Sequence, residues 1–237
     1  MFSFFDDYSV YMKTYFRTIF LIAVILVNCL PSIFSQGSNQ SVLSIGTKHG
    51  VNFSKIIFEP PVKQKVTPGY TGGLVIKYVS ETHAGIQAEL NYSQRGWTEK
   101  FDTTNSYKRR LNYFEMPILT HFVFGKTSTK VIINVGPNLS YLSSDKETFR
   151  LISAGDTLPY YQRKLDKEFE LGLVGGIGLQ KITSIGDFQL EFRFHYGLQN
   201  IFSTNKETNL DKSQNQLYAV TLSYFFFKKD FKAGKNK

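Results

Sequence analysis

An eight-stranded, antiparallel, up-and-down transmembrane β-barrel is the fold that this sequence predicts, and three observations predict it. Apolar and polar residues alternate with a period of two through eight segments between residues 42 and 228, as strands with one dry and one wet face must. The connections between those segments alternate short and long, the pattern of strands that run up and down around one ring. One face of each segment is aliphatic and aromatic with almost no charge, while the other mixes small residues with charges of both signs. The first kind of face suits lipid and its aromatic girdles, the second the lumen of a narrow barrel.

Composition agrees with strands and tight turns: among 237 residues there are 22 Phe, 14 Tyr and 18 Gly. A mean hydropathy of −0.20 with 20% charged residues excludes a bundle of membrane helices, and 42% apolar residues exclude wholesale disorder. The one cysteine, Cys29, rules out an intrachain disulfide framework and a Cys-based zinc site.

The chain opens on an address. Lys13 and Arg17 precede the apolar run Ile19 to Val27, and Leu30-Pro31-Ser32-Ile33-Phe34-Ser35 follows, which is the basic, apolar, small-residue order of a secretory signal. Residues 1–35 are expected to be that signal, with 1–11 an upstream start-site extension ahead of Met12. The run falls short of the roughly 20 residues of a membrane helix, and Asn28 is an odd residue before the Cys of a lipoprotein signal. Asp6 and Asp7 balance Lys13 and Arg17, so the exported chain keeps the formal charge of +9. Export argues against nucleic acid as a partner, and the charge then points to an anionic membrane surface.

The eight segments follow in order, each as lipid face against lumen face. The first sets Leu43, Ile45, Val51 and Phe53 against Ser44, Gly46, Lys48, Gly50 and Asn52; the second sets Leu74, Ile76 and Tyr78 against Gly73 and Lys77. The third alternates cleanly, with Ala84, Ile86, Ala88, Leu90 and Tyr92 against His83, Gly85, Gln87, Glu89, Asn91 and Ser93. The fourth, around Phe114, Met116, Ile118, Phe122 and Phe124, is less regular, because Leu119 and Val123 share a face with Tyr113, Glu115 and His121. Val131, Ile133, Val135, Pro137, Leu139 and Tyr141 mark the fifth, and Phe169, Leu171, Leu173, Ile177 and Leu179 the sixth. The seventh is the clearest: Phe188, Leu190, Phe192, Phe194, Tyr196 and Leu198 alternate with Asp187, Gln189, Glu191, Arg193, His195 and Gly197. The eighth sets Tyr218, Val220, Leu222, Tyr224 and Phe226 against Ala219, Thr221 and Ser223. Short links follow the second, fourth and sixth segments. Long loops, at about 55–69, 94–107, 143–167 and 200–215, follow the others. A barrel domain over 36–228 and a basic periplasmic tail over 229–237 complete the expected organisation.

Certain stretches carry a resemblance. Gly85-Ile86-Gln87-Ala88-Glu89-Leu90-Asn91-Tyr92-Ser93-Gln94-Arg95-Gly96 and Tyr113-Phe114-Glu115-Met116-Pro117-Ile118-Leu119 resemble the third and fourth strands of the PorT-like outer-membrane β-barrel family. Ser44-Ile45-Gly46-Thr47-Lys48-His49-Gly50-Val51-Asn52-Phe53-Ser54 and Val135-Gly136-Pro137-Asn138-Leu139-Ser140 are similar to its first and fifth. The resemblance spans about 42–228 and implies residence in a Gram-negative outer membrane, in a family whose namesake assists a secretion machinery.

Chemistry-bearing motifs are scarce. No H-E-x-x-H, G-x-S-x-G or Walker loop occurs, and Gly176-Ile177-Gly178 lacks the context of a dinucleotide site. No cofactor or catalytic set is therefore expected. His49, His83, His121 and His195 lie in separate strands without metal-ligand spacing. Lys48, Lys77, Glu89, Glu115, Glu191 and Arg193 share the lumen face and are expected to form a structural ion network, since an eight-stranded lumen is just wide enough for side chains. The long loops, counted to residue 110 on the fourth segment, hold 15 basic against 9 acidic residues. Lys63, Lys65, Arg109 and Arg110 are their candidate contacts to lipopolysaccharide phosphates. The expected function is a small integral outer-membrane barrel with a plugged polar lumen, acting as scaffold or accessory in envelope assembly or protein secretion. An outer-membrane lipid-modifying enzyme and a soluble lipocalin-like carrier are the alternatives.

Overall fold

The computed structural model describes residues 40–80, 83–100, 105–125, 127–150, 160–202 and 210–232. The signal expected over 1–35 and the last five residues of the tail lie outside them. Eight strands follow one another in the chain: β1 Gln40–Glu59, β2 Thr67–Val79, β3 Ala84–Lys100, β4 Ser106–Phe124, β5 Thr129–Arg150, β6 Phe169–Thr183, β7 Gly186–Gly197 and β8 Lys212–Lys232. Each pairs antiparallel with the next, and β8 pairs with β1 to close the barrel. Closure leaves no sheet edge in the ring, which is what lets strands cross a membrane at all.

The faces are those the alternation predicts. Leu74, Ile76, Leu90, Met116, Ile118, Val135, Leu173, Ile177, Phe192 and Leu222 are all exposed on the outer surface. Lys48, Glu89, Asn134, Gln189 and Arg193 are buried inside. A soluble carrier would need the reverse, an apolar interior and a polar exterior.

At one end the connections are short, and Gly186 at φ +135° closes the two-residue β6–β7 turn. At the other end the strands run well past the 9–11 residues that suffice to span a bilayer: β5 has 22 residues and β4 has 19. Much of what reads as loop in the sequence is therefore strand, including Lys55–Glu59, Gln94–Lys100 and Ser143–Arg150. The reason is a change of solvent. Above the lipid the outer face must be polar, as at Lys108 and Arg110, while Trp97, Tyr107 and Leu111 turn inward. Alternation persists but its chemistry inverts, which hides the strand. Likewise β8 continues to Lys232, where it pairs with Gln40, so the first four residues of the expected tail are strand.

Candidate functional site

Near the short-turn end of the lumen lies Lys77, above Asp187. Its ammonium donates to Gln180 Oε1 (3.0 Å) and Gln189 Oε1 (3.3 Å) and lies 4.0 Å from the centre of the Phe225 ring. Val75, Leu119, Val123 and Ile132 are buried at this end too. Leu119 and Val123, apolar on the lumen face of β4, are what blur the pattern of the fourth segment.

Mid-barrel, four of the six predicted network residues meet. Lys48 Nζ donates to both Glu89 oxygens at 2.7 Å. Arg193 spans two carboxylates, donating to Glu89 at 2.8 and 2.6 Å and to Glu191 at 2.8 Å. Gln87, Asn91, Asn134 and Gln189 supply further donors to the same two carboxylates. Two cations and two anions balance, and all four are nearly sealed from solvent. Gly176 belongs to this design, because a Cβ there would collide with the Glu191 carboxylate. Lys77 is not part of the cluster.

Glu115 belongs to a second cluster one level higher. Arg95 pairs with Glu115 and, at 3.4 Å, with Glu170. Asn215 donates to Glu170, and the Arg95 guanidinium lies 5.0 Å from the centre of the Tyr113 ring. Arg95 escapes the sequence reading because the third segment is ended at Ser93; it continues the same lumen-facing parity as Glu89, Asn91 and Ser93. Between the two clusters the cavity lined by Lys48, Asn91, Glu115, Arg193 and His195 measures about 10 Å³, scarcely room for one water.

The long-loop end is closed by a different material. Ile56, Phe58, Trp97, Tyr107, Leu111, Tyr160, Tyr161 and Phe202 belong to a buried aromatic and aliphatic core. Tyr160 and Tyr161 come from the connection between β5 and β6, folded back into the mouth. Two buried charges hold it there. Glu99 accepts hydrogen bonds from Trp97 Nε1 (2.7 Å), Tyr160 (2.9 Å) and Tyr161 (2.8 Å). Arg109 pairs with Asp145 and with Glu147 (2.7 Å), and donates to the Tyr160 and Arg163 carbonyl oxygens at 3.2 and 2.6 Å. Burial, with the Glu99 carboxylate beside it, pushes the Tyr160 hydroxyl well above its usual range, so it stays a donor.

This overturns the role expected of Arg109, which is 1% exposed and cannot meet a lipopolysaccharide phosphate. Inward parity on β4 places it under the cap. Arg110, the next residue, faces out, and Lys63 and Lys65 are exposed on the β1–β2 connection, where Lys65 N–H donates to Thr98 O at 2.7 Å. His49 meets Tyr70 outside the barrel at 2.7 Å, and His121 meets Asn134 inside it at 2.7 Å. No group of three or more metal-ligating side chains occurs among the described residues.

The cap makes a direct expectation. Glu99→Leu orphans three buried donors, and even about 2 kcal/mol of local opening corresponds to roughly 30-fold faster cleavage of an opened segment. Trypsin should therefore cut after Arg163 or Lys164 far sooner in the variant, with red-shifted Trp97 emission and unchanged β-structure. Unchanged cleavage would show that Glu99 does not hold the connection.

Comparison with curated protein sequences returns no match. Among solved structures, the chain is similar to Ail, the attachment invasion locus protein of Yersinia pestis, at 13% identity and a TM-score of 0.41, covering 79% of this chain and 98% of that one. It is also similar to OprG of Pseudomonas aeruginosa, at 12% and 0.40, covering 83% and 98%, and to Neisserial surface protein A, at 10% and 0.41, covering 80% and 98%. At such values nothing of those proteins' activities passes to this one. Residues 34–203 match the family described as "Outer membrane protein beta-barrel domain". Closed ring, lipid-facing band and family match agree: the chain belongs to the outer membrane protein beta-barrel domain family and is an integral protein of the Gram-negative outer membrane.

Proposed function

We propose that the protein is a non-conducting barrel that serves as scaffold or accessory in envelope assembly or protein secretion, with outer-membrane lipid, lipopolysaccharide and envelope or secretion proteins as its partners. The observation that carries this reading is the double closure of the lumen, by paired ions at mid-barrel and by the aromatic cap at the long-loop end. A conduit needs neither, and a barrel so filled must act through its surfaces. Short turns are periplasmic and long loops extracellular in barrels of this kind, so the cap and the basic loops face outward from the cell. The resemblance of β1, β3, β4 and β5 to PorT-like barrels supports an accessory role in secretion.

Three measurements test the proposal. The purified barrel should be electrically silent in planar bilayers, and its deletion should impair secretion or surface assembly of envelope proteins that co-purify with it from solubilised outer membranes. Stepwise solute conductance would overturn it. So would a change in acyl-chain mass when the barrel is incubated with lipopolysaccharide, which would move the protein to the lipid-modifying enzymes.

A further inference from the structure

Above the lipid band, the outer surface of β3, β4 and β5 carries charge of one sign. Lys100, Lys108, Arg110, Lys146 and Arg150 lie on it, and the described positions between them are Gly, Ser, Thr and Asn. None of the five forms an ion pair among the described residues. The two carboxylates of β5, Asp145 and Glu147, turn to the opposite side of the sheet, where Arg109 binds both. A one-residue irregularity between Asn112 and Tyr113 in the β4–β5 register accompanies that change of parity on β5.

Register makes the arrangement costly. Arg110 stands directly opposite Lys146, and Lys108 stands opposite Thr148, hence diagonal to both Lys146 and Arg150. Like charges directly opposite in a sheet destabilise it, and nothing among the described residues on this face offsets them. An anion would.

Position says which anion. Arg110 is four residues beyond Phe114, which is 48% exposed on the lipid face. At about 3.3 Å per residue and a tilt of about 40°, that is roughly 10 Å along the membrane normal. Beneath the basic face lie the aromatic pairs Tyr92–Phe114 and Tyr141–Phe169, at 6.0 and 5.0 Å, a girdle at the hydrocarbon boundary. Cations begin where outer-leaflet headgroups sit, and apolar side chains continue where acyl chains would lie. Arg takes phosphate bidentately and Lys as a point charge, while the intervening hydroxyl and amide groups suit sugar. We propose that this face is a binding site for a phosphorylated glycolipid of the outer leaflet, its phosphates on Arg110, Lys146 and Lys108 and its chains along the band below. The proposal rests on the long loops being extracellular and not on the accessory role.

The test reconstitutes the full barrel in phosphatidylcholine vesicles with and without bisphosphorylated lipid A, reading the thermal midpoint of the gel-shifted band, and measures lipid A retention by native mass spectrometry. Lipid A should raise the midpoint of the natural protein and remain bound. Arg110→Gln/Lys146→Gln should bind it at least about tenfold more weakly, while Lys228→Gln/Lys229→Gln, at the other end of the barrel, should bind it unchanged. In vesicles without lipid A the Arg110→Gln/Lys146→Gln barrel should be at least as stable as the natural one, because it loses a repulsive pair; its weaker binding then cannot be a folding defect. Equal affinity in the two double variants would overturn the site. So would full competition by inorganic phosphate, or binding of a soluble sulfated polysaccharide with no response to lipid A.

Discussion

Arg193→Ala should destabilise the barrel by about 3–5 kcal/mol, the cost of leaving buried charges without their partner. Arg193 is 2% exposed and is the only residue of the mid-barrel cluster that binds both Glu89 and Glu191. Without it, Lys48 alone must offset two buried carboxylates. The measurement is urea unfolding in lipid vesicles, followed by the mobility of unboiled samples on a denaturing gel and by emission of Trp97. Replacing the set together, as Lys48→Met/Glu89→Gln/Glu191→Gln/Arg193→Met, should recover most of the loss, because a buried ion cluster is worth little more than neutral groups that fill the same space. An Arg193→Ala barrel as stable as the natural one would show that the cluster is not what holds the lumen together.

Phe192→Arg should cost about 2–4 kcal/mol, as for a cation on the lipid face near the midplane, against about 0–1 kcal/mol for Phe231→Arg. Both residues are exposed, 50% and 41%. They differ in depth: Phe192 is in the middle of β7, and Phe231 is one residue from the end of β8. Yields of the heat-modifiable band after refolding into vesicles compare them. Equal losses, or a greater loss at Phe231, would contradict the placement of the lipid band.

Within the band, nearly every strand is legible from the sequence, because two solvents of opposite polarity act on alternate residues at a fixed period. Glu89, Glu191, Arg193 and Lys48 are legible as lumen residues for the same reason. Their grouping is not, since which lumen residues share a level depends on strand tilt and register around the ring. That is why Glu115 joins Arg95 and Glu170, and why Lys77 sits apart on two amides and the Phe225 ring. Above the band the signal reverses. Trp97 and Tyr107 read as residues of a polar loop, yet with Leu111 they form the inner face of β3 and β4.

Sequence by itself determined the number of strands, their antiparallel order, the identity of the lipid face and the long-loop end, since these follow from local periodicity and from connection length. Tertiary structure alone decided where the strands end, which ions pair, and that Arg109 is a buried clamp while Arg110 stands outside. The physical reason lies in range. A side chain's face is set by its own parity and the solvent on each side of its strand. Its partners come from strands far away in the chain: Arg193 meets Glu89 across 104 residues, and Tyr160 meets Glu99 across 61. Only closure of the ring brings such groups within a hydrogen bond of each other.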